Sequence, residues 1–398
     1  MLGVVQKALI LLIVSLLFDD SFNISVLFFH VSIVDVFFLI FSIAMFIYCL
    51  NSPHLIHISR KSLGYLFLIF GLLLLVLLNL TSGASINENI RLSIGMIEGV
   101  LITVALIIFI RTEEQLDSIG NVFLLIALLA SITSLLVGFS FVDWPYIDKT
   151  PPTRSVFSIF LPWNRNAGLF SNYSAYNSII LIGASYSFVK FYYNSGFKKI
   201  CYFLFLIILI FGSFMPQSRA AILALGVLFL AYIFWFSKKK FLLTMLILSL
   251  VILGSFMFYA VAEVFIEIGS SSSETRFEQY ALILEILPEV YLQGKGLGSF
   301  ISEYGNSIHN IFLNVLIAFG IPGLVFFLSI ILLPYLHMFV QSKKLTLELV
   351  GKNLSWIPLS LISVCAVLFF ASGLSLLSFW ILIGTMISLV STKLCRSD

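Results

Sequence analysis

The stretch 322–340 reads PGLVFFLSIILLPYLHMFV and contains no Asp, Glu, Lys or Arg among its nineteen residues. An α-helix needs about 20 mainly apolar residues to cross the hydrocarbon core of a bilayer. This stretch therefore predicts a membrane-spanning helix. Similar apolar runs recur from one end of the chain to the other, so the fold depends on how many such helices the sequence contains.

The composition of the whole chain agrees with this prediction. Of 398 residues, 60% are hydrophobic and 10% are charged, and the mean hydropathy is +1.11. Soluble domains carry about 25% charged residues. A soluble enzyme, a secreted disulfide scaffold, a disordered linker and a nucleic-acid-binding protein are therefore excluded. The expected fold is all-α, in a polytopic membrane protein.

Charged or turn-rich breaks divide the chain into twelve predicted helices, which form a single membrane domain over residues 1–398. The first helix lacks a small-residue cleavage site, so we interpret it as a retained helix and not as a signal peptide. The predicted spans are 2–18, 32–50, 64–80, 92–110, 121–140, 175–193, 200–216, 219–237, 241–260, 322–340, 356–372 and 375–392.

The distribution of Lys and Arg sets the predicted orientation. With the N-terminus in the cytoplasm, 15 of the 22 basic residues lie on the cytoplasmic side, and an even number of helices places both termini there. The cytoplasmic set has 12 Lys and 3 Arg, whereas the outer set has 2 Lys and 5 Arg. The outer residues are Arg91, Lys149, Arg154, Arg165, Arg219, Arg276 and Lys295.

The outer arginines are candidate ligands for an anion. A guanidinium group presents a planar fork of donors that matches phosphate oxygens in pairs, which a lysine ammonium does not. An outer face with few Lys but five Arg indicates a phosphate site; alternatively, these arginines pair with carboxylates or lipid headgroups. Arg91 and the intramembrane Glu98 share one helix face, and we interpret Glu98 as a structural partner that orients an arginine.

The first long outer loop, 141–174, combines proline turns with aromatic and amide side chains. Trp163, Asn164 and Arg165 are consecutive in it. Ring faces would cover the apolar CH groups of a sugar, while amide and guanidinium groups would bond its hydroxyls. An interfacial aromatic belt explains the same residues, and both interpretations stay open.

The second long outer loop, 261–309, contains a predicted amphipathic helix. Ser271 and Glu274 have the spacing of a capping box, and Pro288 is predicted to end the helix. The apolar face of this helix is predicted to lie along the membrane surface. A flexible turn follows, with glycines at Gly294, Gly296 and Gly298, but it lacks the Gly-Lys-Ser/Thr ending of a phosphate-binding P-loop.

His309 is the candidate base. It is the one histidine of five at the predicted outer boundary beside a long loop and polar neighbours. An imidazole can accept a proton from a hydroxyl near neutral pH; the alternative is a solvated histidine without a role. The chain contains no Asp-x-Asp pair, no His-Glu-x-x-His motif and no nucleophile elbow. If it is an enzyme, chemistry without a metal or cofactor is the simpler interpretation.

Four short motifs follow one another on the predicted outer face. They are RNAGLFSN at 165–172, PQSRAA at 216–221, the stretch from Thr275 and Arg276 to GKGLGSF at 294–300, and IHNIFL at 308–313, which runs on to Gly320 and Pro322. Together they resemble the motifs of the superfamily of O-antigen ligases and Wzy-type O-antigen polymerases. The resemblance covers about residues 160–325 by motif and the whole chain by helix pattern.

The resemblance implies a GT-C-like glycosyltransferase architecture and a lipid pyrophosphate-linked glycan donor, used on the periplasmic side without a metal. Arg219, with one or more other outer arginines, would bind the undecaprenyl pyrophosphate, and His309 would hold or deprotonate the acceptor hydroxyl. The predicted catalytic residues are His309 and Arg219, and the predicted substrate-binding residues are Arg91, Arg165, Arg276, Asn310 and Trp163.

The expected function is therefore extension of a surface polysaccharide in the bacterial inner membrane by a Wzy-type repeat-unit polymerase. Expected partners are the lipid-linked donor, a glycan or lipid acceptor, membrane lipids and a chain-length regulator, but no nucleic acid. One alternative is the ligase that transfers finished glycan to lipid A–core, although many ligases carry a Glu where this chain has Ala318. A flippase for lipid-linked glycans is a more distant alternative.

Overall fold

In a computed structural model, the described residues of the chain are 2–18, 24–26, 29–51, 60–80, 86–142, 166–170, 172–236, 270–305, 308–341, 351–369 and 376–394. Helices dominate them. They are α1 (Leu2–Ser15), α2 (Ile33–Asn51), α3 (Arg60–Leu78), α4 (Ile86–Phe109), α5 (Glu113–Gly138), α6 (Tyr173–Tyr193), α7 (Gly196–Phe214), α8 (Arg219–Phe236), α9 (Ser270–Val290), α10 (Ser299–Tyr304), α11 (Ile311–Gln341), α12 (Gly351–Leu354), α13 (Trp356–Leu368) and α14 (Leu377–Leu394).

The predicted helical pattern is largely confirmed. Eleven of the twelve predicted spans coincide with a described helix, while 241–260 lies outside the described residues. Among the described residues, five helical segments are long and apolar enough to cross a membrane, at Ile33–Asn51, Leu92–Phe109, Glu113–Gly138, Gly196–Phe214 and Ile311–Met338. The chain is therefore a polytopic membrane protein. The count of twelve spans and the GT-C-like architecture stay predictions.

The all-α prediction is confirmed, and the described residues add one short hairpin to it. A short antiparallel hairpin joins β1 (Ile24–Val26) to β2 (Phe29–Val31) between α1 and α2, with Ser25 opposite His30. Each strand has three residues, and an isolated hairpin of this size is marginally stable by itself. No strand was predicted here because the segment is too short to show an alternating pattern.

Two predicted helix boundaries involve proline. The predicted start at Pro322 lies just after a break in α11 at Gly320 (φ 67°, ψ −169°), and a further helical segment, from Ile311, precedes that break. Pro322 therefore follows the kink. Its missing N–H costs no helical hydrogen bond, because the kink has already interrupted the helix there. Pro288 lies in the last turn of α9, which continues to Val290, and its exposed position leaves the affected carbonyl open to solvent.

Helix α6 lies at the centre of one half of the molecule. Every residue from Ala175 to Lys190 is buried, and α5, α7 and α13 pack against it. Close approach to α5 depends on glycine, since a Cβ on Gly183 would lie 2.5 Å from Ala127 Cβ. Near the end of α6, Lys190 Nζ lies 2.6 Å from Asp117 Oδ1 of α5. This ion pair ties the two helices.

The other half is built on the pairs α4–α14 and α3–α11. A Cβ on Gly99 of α4 would clash with the Trp380 ring, so the two backbones approach closely. Thr103 Oγ1 donates to the Trp380 carbonyl at 2.9 Å, and Ser388 Oγ of α14 donates to the Leu106 carbonyl at 2.9 Å. Small and hydroxyl-bearing residues of this kind are typical of helix contacts in membranes.

Candidate functional site

His309 lies exposed, immediately before α11, between two buried neighbours. Ile308, 2% exposed, packs in an apolar cluster with Ile283, Ile286, Val290, Phe300 and Ile317. On the other side, Asn310 is 4% exposed. The imidazole therefore stands on the surface while the backbone on both sides of it is anchored.

Asn310 caps the start of α11. Its Oδ1 accepts the backbone N–H of Phe312 at 2.9 Å and of Leu313 at 3.1 Å. Asparagine is among the strongest N-cap residues because this bond satisfies helix donors that lack an intrahelical partner. The oxygen of Asn310 is thus engaged within the chain, and a contact between Asn310 and substrate stays a prediction.

The apolar cluster around Ile308 buries one face of α9. Ile283, Ile286 and Val290 are buried against the protein, whereas Ala281 and Leu284 of the predicted membrane-facing side are exposed, so contact of that side with the membrane surface stays a prediction. Phe300 of α10 and Ile317 of α11 close the cluster. Burial of these side chains in the cluster holds α9 and α10 against the segment that carries His309.

Residues 291–298, called here the glycine turn, are hydrogen-bonded to the kink of α11. Lys295 N donates to the Ile317 carbonyl at 2.9 Å, and Gly296 N donates to the Ala318 carbonyl at 3.0 Å. In return, Ile321 N donates to the Tyr291 carbonyl at 2.7 Å. Pro322 has no N–H to offer the Ala318 carbonyl, so the turn supplies the donor that the helix lacks.

Two glycines of the turn are required by close backbone contact. Gly294 has φ +74°, and a Cβ there would clash with the Ala318 carbonyl. Gly296 has φ +91°, and a Cβ there would lie 2.9 Å from Asn89 Nδ2 and 3.0 Å from the Asn79 carbonyl. The sequence predicted a flexible turn, but these contacts fix it. Ala318, where many ligases carry Glu, faces this turn through its backbone.

Lys295 joins the helices on the two sides of the turn. Its Nζ lies 3.4 Å from Glu289 Oε2 of α9 and 3.4 Å from Glu303 Oε2 of α10. Burial lowers the pKa of Lys295, but the carboxylates of Glu303 and Glu289 outweigh it, so the net shift is upward. A raised lysine pKa keeps the ammonium charged, and both pairs formed, up to alkaline pH. These partly exposed pairs stabilise the turn only modestly.

Asn89, in the first turn of α4, is a contact that sequence reasoning missed. Its side chain is fully buried, and its Oδ1 accepts the backbone N–H of Gly298. This bond brings the start of α4, which also carries Arg91, against the end of the glycine turn. The signal that could have found it is the Gly-x-Gly-x-Gly spacing, since glycine marks close approach of another group to the backbone.

A second group of contacts forms around Asn166. Its Oδ1 accepts from Ser134 Oγ at 2.6 Å and from Gly168 N at 3.1 Å, and its Nδ2 donates to the Ser134 carbonyl at 3.2 Å. Its backbone N–H donates to the Met215 carbonyl at 3.4 Å. The segment that follows Arg165 in sequence is therefore fixed next to the end of α7.

Arg219 is the first residue of α8. The chain enters α8 through Gln217, which is buried and has φ +50°, an uncommon value for a residue with a side chain. Ser218 then acts as a helix cap, because its Oγ accepts the Ala221 N–H at 3.4 Å. The Ser-Arg pair of the PQSRAA motif thus places an arginine at the positive end of a helix.

The remaining predicted site residues are only partly placed. Trp163 and Arg165 lie outside the described residues, Arg91 belongs to the first part of α4, and Arg276 to the first part of α9. The glycine turn brings together the start of α4, the end of α9 and the start of α11. Within the described part of the chain, no group of three His, Cys, Asp or Glu side chains could hold a metal ion. Chemistry without a metal stays a prediction.

Comparison with known families supports the motif assignment. Residues 204–328 match a family model described as O-antigen ligase. The matched segment covers less than half of the chain, and it includes Arg219, Arg276, the glycine turn and His309, but not Asn89 or Arg91. The resemblance to the O-antigen ligase and Wzy-type superfamily is confirmed by this match. Comparison with curated proteins finds no match.

Proposed function

Because residues 204–328 carry the domain of the O-antigen ligase family, we propose that the chain is a membrane glycosyltransferase that polymerises lipid-linked oligosaccharide repeat units into a surface polysaccharide. The proposal rests on one observation. The matched segment contains both Arg219, at the capped start of α8, and the exposed His309. The family supports a glycosyl-transferring enzyme; the polymerase activity and the undecaprenyl pyrophosphate carrier are the specific parts of the proposal.

The proposed reaction is a single displacement. His309 accepts the proton of an acceptor hydroxyl while the hydroxyl oxygen attacks the anomeric carbon of the donor glycan. The bond between that carbon and the pyrophosphate oxygen breaks, and undecaprenyl pyrophosphate leaves with the bonding electron pair. Attack from the face opposite the leaving group inverts the anomeric carbon. The proton passes from His309 to solvent, which restores the base.

Arg219 is the proposed electrostatic partner of the leaving group. As negative charge grows on the pyrophosphate oxygens, paired N–H donors of a guanidinium stabilise it, and the N-terminus of α8 adds its positive dipole end. Arg91, Arg165 and Arg276 are proposed to complete the anion site. Trp163 and Asn310 are proposed to contact the glycan. None of these roles needs a metal ion or cofactor.

The proposed setting is the bacterial inner membrane with both termini in the cytoplasm and the site facing the periplasm. The distribution of basic residues supports this orientation, since Lys concentrates on the side assigned to the cytoplasm. The lipid-linked donor would reach the site within the outer leaflet, and the acceptor would come from the periplasm. A chain-length regulator is a proposed further partner.

A ligase that transfers the glycan to lipid A–core is the second candidate, and the family description itself favours it. Ala318, at a position where many ligases carry Glu, favours the polymerase. A flippase would need cationic groups along the membrane path, whereas the outer arginines were assigned from the sequence to helix ends and loops.

Electrophoresis of surface glycan from a strain without the gene tests the proposal and separates these candidates. Loss of a polymerase leaves single repeat units on the core, whereas loss of a ligase leaves none. Complementation with wild type should restore the ladder, and complementation with His309→Ala should not, although the variant protein accumulates in the membrane. His57→Ala, on the predicted cytoplasmic side, is the matched control. A normal ladder with His309→Ala would contradict the catalytic assignment.

A further inference from the structure

The segment that carries His309 is held to the helix bundle through the glycine turn. Ile317, Ala318 and Ile321 of α11 exchange three backbone hydrogen bonds with residues 291–296. These bonds lie at most twelve residues after His309, at the kink where α11 departs from helical geometry. Any displacement of the turn is therefore transmitted to the outer part of α11.

Asn89 connects the other side of the turn to α4. Its Oδ1 accepts the Gly298 N–H, and its side chain is fully buried. The contact is tight over two residues of the turn, because a Cβ on Gly296 would lie 2.9 Å from Asn89 Nδ2. Helix α4 itself packs closely against α14, where a Cβ on Gly99 would clash with the Trp380 ring. A continuous set of contacts thus runs from α14 through α4 and the turn to α11.

We infer that Asn89 is a positioning residue of the glycosyl transfer, acting through Gly298 and the glycine turn on the place of His309. This inference rests on the proposed function. Asn89 does not act on the reacting atoms. It fixes the position of the first part of α11, which follows His309, relative to the rest of the helix bundle. Without its oxygen, the buried Gly298 N–H would lose a partner, and the turn would move to find another.

Three substitutions distinguish the effect of losing the hydrogen-bond acceptor of Asn89 from the effect of changing the volume of its side chain. Asn89→Leu keeps the size and removes the acceptor. Asn89→Asp keeps an oxygen at the same distance from the backbone. Asn89→Gln keeps the amide but moves it outward by one methylene group. This variant replaces Asn89→Leu in the test if the leucine variant does not accumulate in the membrane. Thr103→Val is the matched control, because it removes a buried hydrogen bond from the same helix without touching the turn.

The assay uses the purified full chain in proteoliposomes, with lipid-linked glycan extracted from the deletion strain as donor. We expect Asn89→Leu to lower kcat by about 10- to 100-fold, because misplacement of a catalytic group by about 1 Å has an effect of this order. The KM for the donor should stay unchanged. Asn89→Asp should retain a kcat close to that of wild type, and Asn89→Gln should fall between them. Thr103→Val should lower the thermal midpoint while kcat is preserved.

The inference is overturned if Asn89→Leu keeps the wild-type kcat, if Asn89→Asp fails to rescue it, or if Thr103→Val lowers kcat equally. His309→Ala is measured in the same assay. Activity of His309→Ala would contradict the proposed function itself. An inactive His309→Ala beside a fully active Asn89→Leu would contradict only the role of Asn89.

Discussion

His309 is exposed between two buried neighbours, which hold the backbone on both sides of it. Ile308 is inserted into an apolar cluster and Asn310 into the cap of α11, so the backbone at 309 cannot turn inward without breaking both. A general base has to keep a fixed position relative to the proton that it accepts. At this site, the neighbouring residues hold the backbone of His309 in place, and the imidazole itself is exposed.

At the scale of single residues, Arg219 offers the sharpest test of how the anion is bound. We expect Arg219→Ala to abolish polymer and Arg219→Lys to restore it poorly, because a point charge replaces a planar two-pronged donor. The measurement is the length distribution of surface glycan, with membrane levels of each variant checked by immunoblotting. Arg111→Lys, in the connection between α4 and α5, is the control. Full polymer length with Arg219→Lys would mean that a positive charge at this position is enough to bind the anion, and it would contradict the need for paired donors.

The kink of α11 and the glycine turn form one structural element, although their hydrogen-bonded partners lie at least 22 residues apart in sequence. Gly320 frees carbonyls at the kink, and the turn provides donors for them. Each part lacks hydrogen-bond partners without the other, because Pro322 offers no N–H and the turn belongs to no sheet. The two segments therefore form together or not at all.

Gly296→Ala tests this element. A Cβ there would be forced against Asn89 and the Asn79 carbonyl, and the φ of +91° would become strained. We expect a loss of about 1–3 kcal/mol in stability, the order typical of such backbone strain. Thermal unfolding in detergent measures it. The control is Gly226→Ala in α8, where nothing lies within 4 Å of the new Cβ and the change should stabilise the helix slightly. Equal midpoints for both variants would contradict the tight contact.

The sequence predicted this element only in part, for a physical reason. Pro322 at the head of an apolar run indicated a helix start, and the second segment of α11 begins next to it. The first segment, which starts at the Asn310 cap and ends at Gly320, was not predicted. Asn89 was missed because Asn87, Glu88 and Asn89 are all polar in the first turn of α4, and no periodicity distinguishes one of them. The glycine spacing at 294–298 indicates that some group approaches the backbone there, but it does not identify the group, which belongs to a segment about 200 residues away.

At the scale of the whole molecule, long apolar runs predict helices well because each run forms its hydrogen bonds within itself. Eleven predicted spans therefore coincide with helices. The pairing of helices was not predicted, since α4 with α14 and α3 with α11 depend on individual glycines such as Gly99 and Gly71 that fit a facing aromatic ring. Of the predicted site, the structure describes the local setting of His309 and of the Ser-Arg turn. The arrangement of these two groups relative to each other stays a prediction.

Orientation is a prediction for the whole molecule. Ser302 in α10 and Ser195 between α6 and α7 are both exposed and are assigned to opposite sides. After replacement of the four native cysteines, we expect Ser302→Cys in intact spheroplasts to react with a membrane-impermeant maleimide. Ser195→Cys should react only after the membrane is opened. The opposite labelling pattern would place the site in the cytoplasm and contradict the proposed periplasmic reaction.

The burial of α6 has a consequence for biosynthesis. This helix carries Asn177, Lys190 and several serines, and it is not among the helices apolar enough to cross a membrane by composition. Hydrocarbon is a poor solvent for these groups, so α6 gains little by entering the bilayer alone. It becomes stable there once α5 and α7, its neighbours in sequence, cover it. Insertion of this part of the chain is therefore a cooperative step, in which two apolar helices carry a polar one into the membrane.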